Sequence, residues 1–457
     1  MYAAYALSTE WRGAVNALES MIFYPSWRKC QFREAGFQSE GCVWLFFESQ
    51  RFLASQVEGF IGGSQVCFLS NSVTPAQLAS RLENFDRIVF VAETAWSYNV
   101  NYDEISSFLA LLKVIQQVRC TEFDIVTVRS ITCSAFRAVT HPHDGVFVGL
   151  GQTFAQEVDF SVRVLVLERI SEKVIYWVLH GTFPSRYPIV VLDDCFLIPT
   201  LKRNAAYSRT VSHRKSSYFR TGGTYLVIGG RGGLGGMLAK YLARQYKANL
   251  ILIGRSPRDQ KQLDNLVKNG AASASYEQSD VSDFEKMKAI FKRHPGINGI
   301  VHSALVLKDS LICNMSDENL QSVLSPKLCG TLNLLRILRN MDCSQLDFVL
   351  FFSSVQSYIA NPGQANYTAA CVSKDALANI LRELYMVNSK IINWSFWGDI
   401  GVVASDYYRK RMSKLGIESI KEEEGLEIIE WFLSTKIKQV TVIKASDNAL
   451  KRLNIEG

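Results

Sequence analysis

Short apolar runs alternate with longer amphipathic stretches through the second half of the chain, from about residue 222. The apolar runs lie in TYLVIGG, NLILIGR, ASYEQSD, INGIVHSA, LDFVLFFSS, KIINWSFW and QVTVIK. Strands that are buried on both faces give continuous apolar runs, and helices between them make right-handed parallel crossovers. The pattern predicts an α/β fold with a doubly wound parallel sheet.

The first half of the chain repeats this alternation more faintly. Candidate strands lie at 41–47, 65–70, 86–92, 123–128 and 162–168, with a candidate helix at 104–118. The first of these strands runs into ESQRFLAS, which has no glycine. Without close backbone approach at a helix N-terminus, a dinucleotide pyrophosphate has no cradle. We therefore expect a truncated, degenerate Rossmann-like subdomain that binds no cofactor and supports the second half.

A basic, serine-rich segment, LKRNAAYSRTVSHRKSSYFRTGG (201–223), separates the two halves. It is either a solvated linker or a patch that faces a phosphate or a carrier protein. We place a structural subdomain at 1–215 and a catalytic subdomain at 216–457.

Composition narrows the class of protein. The chain of 457 residues is too long for one ordinary core, and 48% hydrophobic with 20% charged residues is typical of globular proteins. The net charge of +7 fits an anionic cofactor or an acidic protein partner and gives little support for nucleic-acid binding. No apolar run approaches the ~20 residues that span a bilayer, and MYAAYALSTEWRG lacks a signal-peptide pattern. The ten scattered cysteines form no CxxC pair, so we expect reduced thiols, a cytoplasmic protein and no metal site.

A glycine-rich loop follows the first strand of the second half. In VIGGRGGLGGMLAKYL (227–242), Gly229, Gly233 and Gly235 have the spacing GxxxGxG. Glycine permits a tight turn and lets backbone N–H groups approach a pyrophosphate at the positive end of a helix. The strand before the loop and the helix after it favour a dinucleotide site over a plain glycine turn.

The second strand indicates which dinucleotide binds. An acid about 20 residues beyond the loop would bind the ribose of NAD, whereas arginine accommodates a 2′-phosphate. This strand ends in Gly254-Arg255-Ser256 without an acid, and a guanidinium is a multidentate phosphate donor. NADPH is therefore the expected cofactor. Asp280, at the end of the third strand, either meets the adenine or caps a turn.

A tyrosine follows a serine-bearing strand in FVLFFSS and NPGQANYTAACVSK (361–374). This layout resembles that of short-chain reductases, in which a phenol protonates a carbonyl. Those enzymes usually carry a lysine one helical turn after the tyrosine, on the same face. Here that position is Cys371, and the nearest lysine is Lys374.

Taken together, the second half closely resembles the ketoreductase domain of modular polyketide synthases, a complex short-chain dehydrogenase/reductase. The motifs that carry the resemblance are GGTYLVIGGRGGLGG, LIGRS, GIVHSA, SPKLCGTLNL, FFSSV, NPGQANYTAA and INWSFWGDIGVV. In the first half, FYPSWRK (23–29) and DGVFVGLGQTFAQEVDFSVRVLVLE (144–168) resemble the structural subdomain of that family. Within this family, the chain is most similar to ketoreductases of polyketide synthases whose acyltransferases act in trans, as judged by HSALVLKDSL and the cysteine after YTAA.

The resemblance implies a catalytic set of Tyr367, Ser354 and Lys327. In this family the lysine comes from the preceding helix and an asparagine follows the tyrosine by four. Lys327 matches the lysine, and Ser354 matches the serine that orients the carbonyl, with Ser353 the weaker candidate. An ammonium near a phenol lowers the phenol's pKa. Lys374 lies two turns from Tyr367 and is expected to be too distant for contact, while Cys371 departs from the asparagine pattern.

The remaining candidate residues divide into two groups. Those expected at the cofactor are Gly229, Gly230, Gly232, Gly233, Leu234, Gly235, Arg255, Ser256, Asp280, Val281, Ser303, Lys327 and Tyr367. Those expected to contact the substrate or control stereochemistry are Leu307, Asp309, Gln364 and Trp397. Leu307-Lys308-Asp309 matches the Leu-x-Asp signature of B-type enzymes, and the A-type tryptophan is absent from SYIANPGQ. The resemblance thus implies a D-configured β-hydroxyl product.

The expected function is NADPH-dependent reduction of a β-ketoacyl thioester. The substrate would arrive on the phosphopantetheine arm of an acyl carrier protein, and the chain would adjoin other polyketide synthase domains. One alternative is a structural ketoreductase-like module that has lost its proton relay, for which Cys371 is the only support. A weaker alternative is a fatty-acid-type reductase or an epimerase that uses the same site.

Overall fold

The computed structural model describes residues 18–31, 33–34, 41–61, 64–70, 72–93, 97–128, 143–182, 187–192, 195–203, 218–453 and 455. Most of the basic segment at 201–223 lies outside the described residues, and so does the proposed boundary at 215/216. Both therefore stay predictions.

The first half contains ten strands and five helices among the described residues. In chain order they are β1 (Ile22–Lys29), β2 (Arg33–Glu34), β3 (Cys42–Phe47), α1 (Arg51–Glu58), β4 (Gln65–Leu69), α2 (Pro75–Leu82), β5 (Arg87–Glu93), α3 (Tyr102–Ile115), β6 (Glu122–Val128), α4 (Asp144–Glu157), β7 (Ser161–Leu167), α5 (Glu172–His180), β8 (Gly181–Thr182), β9 (Ile189–Leu192) and β10 (Cys195–Arg203). The five strands and the helix predicted here are all present, within two or three residues of the expected bounds.

The second half has the predicted alternation of strand and helix. It runs β11 (Thr224–Ile228), α6 (Gly233–Tyr246), β12 (Asn249–Gly254), α7 (Gln260–Lys268), β13 (Ser273–Gln278), α8 (Phe284–Arg293), β14 (Gly299–His302), α9 (Asp317–Leu338), β15 (Phe348–Ser354), α10 (Gln356–Ile359), α11 (Ala365–Tyr385), β16 (Ser389–Trp394), α12 (Asp406–Lys414), α13 (Glu422–Ser434), β17 (Gln439–Val442) and α14 (Asp447–Arg452). The apolar runs form these strands because both faces of the sheet are covered by helices.

One sheet of fifteen strands joins the two halves. Its order is β13-β12-β11-β14-β15-β16-β17-β1-β10-β9-β7-β6-β5-β3-β4. The strands from β13 to β17 pair in parallel, as do those from β9 to β4. β1 pairs antiparallel with both β17 and β10 and so joins the two parallel blocks. Each block is Rossmann-like, which confirms the predicted fold class.

The interface between the halves is also formed by α4 against α11. Gly149 of α4 lies so close to α11 that a Cβ atom there would be 2.4 Å from the Cα of Ala369. One buried hydrophobic cluster includes residues of both halves, among them Phe90, Phe147, Ala369 and Leu377. None of the described helices is long and apolar enough to cross a membrane.

Candidate active site

The carboxyl ends of the central parallel strands of the second half open onto one cavity of about 540 Å³. Ligands of doubly wound sheets bind at this edge, where the strand order reverses. In this sheet the reversal lies between β11 and β14. The cavity is lined by residues from the glycine loop, the ends of β12, β14 and β15, the start of α11 and the segment after β16.

The glycine loop forms a cradle that side chains would fill. Gly229 has φ +82°, and a Cβ there would lie 2.8 Å from the backbone nitrogen of Ala304. A Cβ on Gly235 would lie 2.5 Å from the carbonyl oxygen of Gly229 and from Oγ of Ser303. α6 begins at Gly233, after Gly232, which has no side chain to cap its first N–H groups. The free donors at the positive helix end fit a pyrophosphate.

Arg255 and Ser256 line the same cavity just beyond β12. The Arg255 side chain is 59% exposed, and its nearest carboxylate oxygen, on Asp280, is 4.0 Å away. A largely solvated guanidinium that is so weakly paired can bind a phosphate without first breaking a strong ion pair. This end of the cavity therefore fits an anionic group.

Two residues at this end were missed by the sequence analysis. Arg231 and Tyr276 line the cavity, and the Arg231 guanidinium lies 5.7 Å from the centroid of the Tyr276 ring. The Tyr276 hydroxyl donates to the carbonyl oxygen of Ser256 at 2.7 Å and so fixes the turn after β12. Arg231 could have been predicted to line the cavity, because it lies within the glycine motif VIGGRGG. Nothing in the sequence around Tyr276 on β13 indicated the same.

Asp280 makes the turn contacts that were left open as an alternative to an adenine contact. Its Oδ1 accepts from the backbone nitrogen of Ser282 at 2.9 Å and from its hydroxyl at 2.7 Å. Asp280, Val281 and Ser303 also line the cavity, so both roles are compatible with the geometry. Gly230, in contrast, lies outside the lining, and a Cβ there would be 2.7 Å from the Leu252 side chain. Gly230 therefore allows close packing against β12 rather than contact with a ligand.

Tyr367, Ser354 and Lys327 converge from three elements. Tyr367 lies in the first turn of α11, Ser354 ends β15, and Lys327 lies within α9. The Lys327 ammonium is 5.1 Å from the centroid of the Tyr367 ring. The Ser354 side chain is close enough to the phenol to lower the pKa of Tyr367. Tyr367 and Ser354 line the cavity, whereas Lys327 is buried behind them.

The electrostatics of the phenol follow from its burial. Burial raises the pKa of Tyr367 well above its usual value, the neighbouring Cys371 raises it further, and the side chain of Ser354 lowers it. The phenol is therefore protonated across the neutral range and can donate a proton into the cavity.

Cys371 is fully buried one turn after Tyr367. Burial raises the pKa of its thiol, and the thiol in turn raises the pKa of the phenol. A protonated thiol is a weak hydrogen-bonding group, so a poor donor stands at the position where the resemblance implies an asparagine.

The hydrogen bonds that Lys374 makes among the described residues go to His302 and Phe352, not to the phenol. Its ammonium is fully buried and donates to the carbonyl oxygens of His302 at 2.9 Å and Phe352 at 3.0 Å. It also lies 3.0 Å from Nδ1 of His302. Burial lowers the pKa of both Lys374 and His302. Lys374 thus ties α11 to the ends of β14 and β15, and His302 is buried beside it.

The residues predicted to face the substrate line the same cavity, and we call the part that they line the substrate end. Leu307, Asp309, Gln364 and Trp397 all line it. The Gln364 amide donates to Oδ2 of Asp309 at 2.9 Å, which joins the Leu-x-Asp segment to the loop before Tyr367. Trp397 packs against Trp394 with ring centroids 5.2 Å apart. Val402 also lines the cavity and is 67% exposed.

Comparisons with known proteins identify related sequences and structures. Residues 223–399 match the model of the KR domain family. The chain is 40% identical over 236 residues to polyketide synthase PksN of Bacillus subtilis (strain 168), covering 50% of this chain and 4% of PksN. It is 30% identical over 352 residues to polyketide synthase PksM of the same strain, covering 74% of this chain and 8% of PksM. The chain therefore spans only a small part of these relatives.

Solved structures match nearly the whole chain. An A1-type ketoreductase superimposes with a TM-score of 0.81 at 18% identity, over 96% of this chain and 97% of that one. A ketoreductase domain from the bacillaene assembly line gives a TM-score of 0.68 at 22% identity, over 94% of this chain and 98% of that one. At these identities the likeness shows the fold, which extends to the first half.

Proposed function

Residues 223–399 belong to the KR domain family, and from that premise we propose that the chain reduces a β-ketoacyl thioester with NADPH during polyketide synthesis. The observation that carries the proposal is the meeting of Tyr367, Ser354 and Lys327 beside a cavity that also contains the glycine cradle. A carbonyl held there would lie between a phenol and a cofactor site.

Each of the three side chains has a distinct task. Ser354, at the end of β15, donates to the substrate's keto oxygen and orients it toward Tyr367. Tyr367 gives its proton to that oxygen as negative charge develops. The Lys327 ammonium, 5.1 Å from the ring centroid, stabilises the phenolate that remains. A bound NADPH supplies the hydride that the carbonyl carbon receives.

The cradle and the residues beyond it would hold this cofactor. The uncapped start of α6 at Gly233 would bind the pyrophosphate, and Arg255 with Ser256 would bind the 2′-phosphate. Lys327 and Tyr367 are the candidates for the ribose hydroxyls. The preference for NADPH over NADH rests on Arg255 and on the absence of an acid at the end of β12.

The substrate is a thioester on the phosphopantetheine arm of an acyl carrier protein. The carrier would belong to neighbouring polyketide synthase domains, with the trans-acyltransferase branch favoured by HSALVLKDSL and by Cys371. Leu307 and Asp309 favour B-type addition and a D-configured alcohol. The hydrogen bond from Gln364 to Asp309 supports this assignment, because it fixes the signature beside the substrate end of the cavity.

The decisive experiment follows NADPH absorbance with a β-ketoacyl N-acetylcysteamine thioester. Tyr367→Phe should lower kcat by about 10²–10⁴, the usual contribution of a general acid. Tyr241→Phe is the matched control, since that hydroxyl donates to Glu430 and lies outside the cavity lining. Chiral analysis of the alcohol tests the D configuration. An unchanged rate in Tyr367→Phe would refute the assignment of the acid.

Cys371 supports one competing function, a structural module without turnover. The thiol at this position weakens any proton relay through α11. Tight NADPH binding without any turnover by the wild-type chain would favour that function over the reductase.

A further inference from the structure

Two loops that border the substrate end of the cavity are joined to each other. One is the segment 303–311 after β14, and the other is the segment 360–364 before α11. The backbone nitrogen of Ser310 donates to the carbonyl oxygen of Gly363 at 2.8 Å, and Gln364 donates to Asp309. The Asn366 side chain donates to the carbonyl oxygen of Lys308 at 2.8 Å. Three hydrogen bonds therefore join the two loops into one unit.

A carboxylate from the first half binds this unit. Glu157 is the last residue of α4, and its Oε1 accepts from the backbone nitrogen of Gly363 at 2.8 Å. Its Oε2 accepts from the backbone nitrogen of Ile312, just after the other loop, also at 2.8 Å. One side chain thus uses both oxygens to bind both loops.

Only a carboxylate can make this pair of contacts. It has two acceptor oxygens and no donor, whereas an amide has one acceptor and one donor group. Burial raises the pKa of the Glu157 carboxyl, and the two N–H groups lower it. Gly363 has φ +80°, so its N–H direction is set by a left-handed backbone that a glycine adopts readily. Tyr367 lies only four residues later, in the first turn of α11.

We propose that Glu157 is a positioning residue for the reduction and for its stereochemistry. The inference rests on the proposed function and deepens it. Glu157 holds Asp309 and Gln364 against the substrate end of the cavity and fixes the approach to Tyr367, without touching the substrate. The first half of the chain thereby contributes directly to the choice of face. A plain packing role would lower the stability of the fold without a selective change in the ratio of the two alcohols.

The test compares Glu157→Ala and Glu157→Gln with the control Asp159→Asn. Asp159 is an exposed carboxylate two residues away that contacts neither loop in any described hydrogen bond. With the thioester mimic, Glu157→Ala should lower kcat/KM about tenfold or more, since displacements of about 1 Å cost up to 10²-fold. The minor alcohol should rise severalfold, while the NADPH dissociation constant stays within about twofold. Glu157→Gln, which is isosteric and keeps one acceptor, should fall between wild type and Glu157→Ala.

Two results would overturn the proposal. One is a folded Glu157→Ala protein whose kcat/KM and product ratio equal those of wild type. If Glu157→Ala melts early, the same result for Glu157→Gln counts instead. The other is an equal loss of both alcohols with weakened NADPH binding, which marks general instability.

A second readout needs no turnover. Hydrogen exchange of peptides covering 305–314 and 361–366 should accelerate in Glu157→Ala and not in Asp159→Asn, with the glycine loop unchanged. If the wild-type chain fails to reduce the mimic, the proposed function fails while this readout still tests the Glu157 contacts. Unchanged exchange in both peptides would contradict those contacts.

Discussion

Gly149 of the first half packs against the backbone of α11 in the second half, and Gly149→Ala tests whether this contact maintains the active site. A Cβ there would lie 2.4 Å from Cα and 2.6 Å from N of Ala369. Both atoms belong to the backbone of α11, so no side-chain rotation relieves the clash. The helices must separate, and α11 carries Tyr367 only two residues before Ala369.

The expected change in the free energy of unfolding is the difference between two opposing effects. Alanine in a helix interior gains about 1 kcal/mol over glycine, and overpacking a core costs about 1–3 kcal/mol. Since the obstruction is backbone and lies well under van der Waals distance, we expect the upper part of that range and a net loss of about 1–2 kcal/mol. The displaced phenol should also lower kcat about tenfold or more, with a smaller change in KM.

Two matched substitutions isolate the cause. Gly151→Ala lies on the same helix, but its Cβ would meet the end of the Ile125 side chain at 2.5 Å, which can rotate away. Gly59→Ala meets nothing within 4 Å and has φ −64°, so it should be neutral or slightly stabilising. Urea unfolding followed by circular dichroism gives the three free energies. A Gly149→Ala protein as stable and active as wild type would refute the reasoning.

Other expectations follow from the same site. Arg255→Ala should raise the dissociation constant for NADPH about tenfold or more and leave that for NADH nearly unchanged, as measured by fluorescence titration. Because burial raises the pKa of Tyr367, reduction should not lose its acid between about pH 7 and 9, while alcohol oxidation, which needs the phenolate, should accelerate as pH rises. Cys371→Asn, which replaces the thiol by an amide donor, should shift that oxidation profile to lower pH. Lys374→Met leaves two carbonyl oxygens without their donor and should cost several kcal/mol in urea unfolding.

The elements were predictable because burial imposes its own pattern. The strands of both parallel blocks appear as apolar runs, and the cradle is visible in the spacing of Gly229, Gly233 and Gly235. The cavity contains the residues assigned to it, apart from Gly230 and Lys327, which lie behind its surface. The roles of these residues stay predictions.

Contacts between segments that are distant in the sequence could not be predicted, because they produce no pattern like the apolar runs of the strands. Glu157 binds Gly363, which is 206 residues away in the sequence. The sequence of α4 likewise does not indicate which helix it packs against. β1 pairs with both β17 and β10, an arrangement that a strand's own sequence does not specify. Lys374 donates to backbone carbonyl oxygens, which every residue has, so the sequence does not indicate these partners.

The first half was predicted to be a support that binds no cofactor; this stays a prediction, and the structure shows where the first half contacts the second. Its α4 contacts α11 at two levels: Gly149 packs on Ala369 inside the helix, and Glu157 binds the loop that leads into it. α11 begins at Ala365, so both contacts lie within a few residues of Tyr367. A helix terminus that carries a reacting side chain would fray if it were left in solvent. By holding that terminus from outside the cofactor fold, the first half can restrict the phenol and the substrate loops without occupying the cavity.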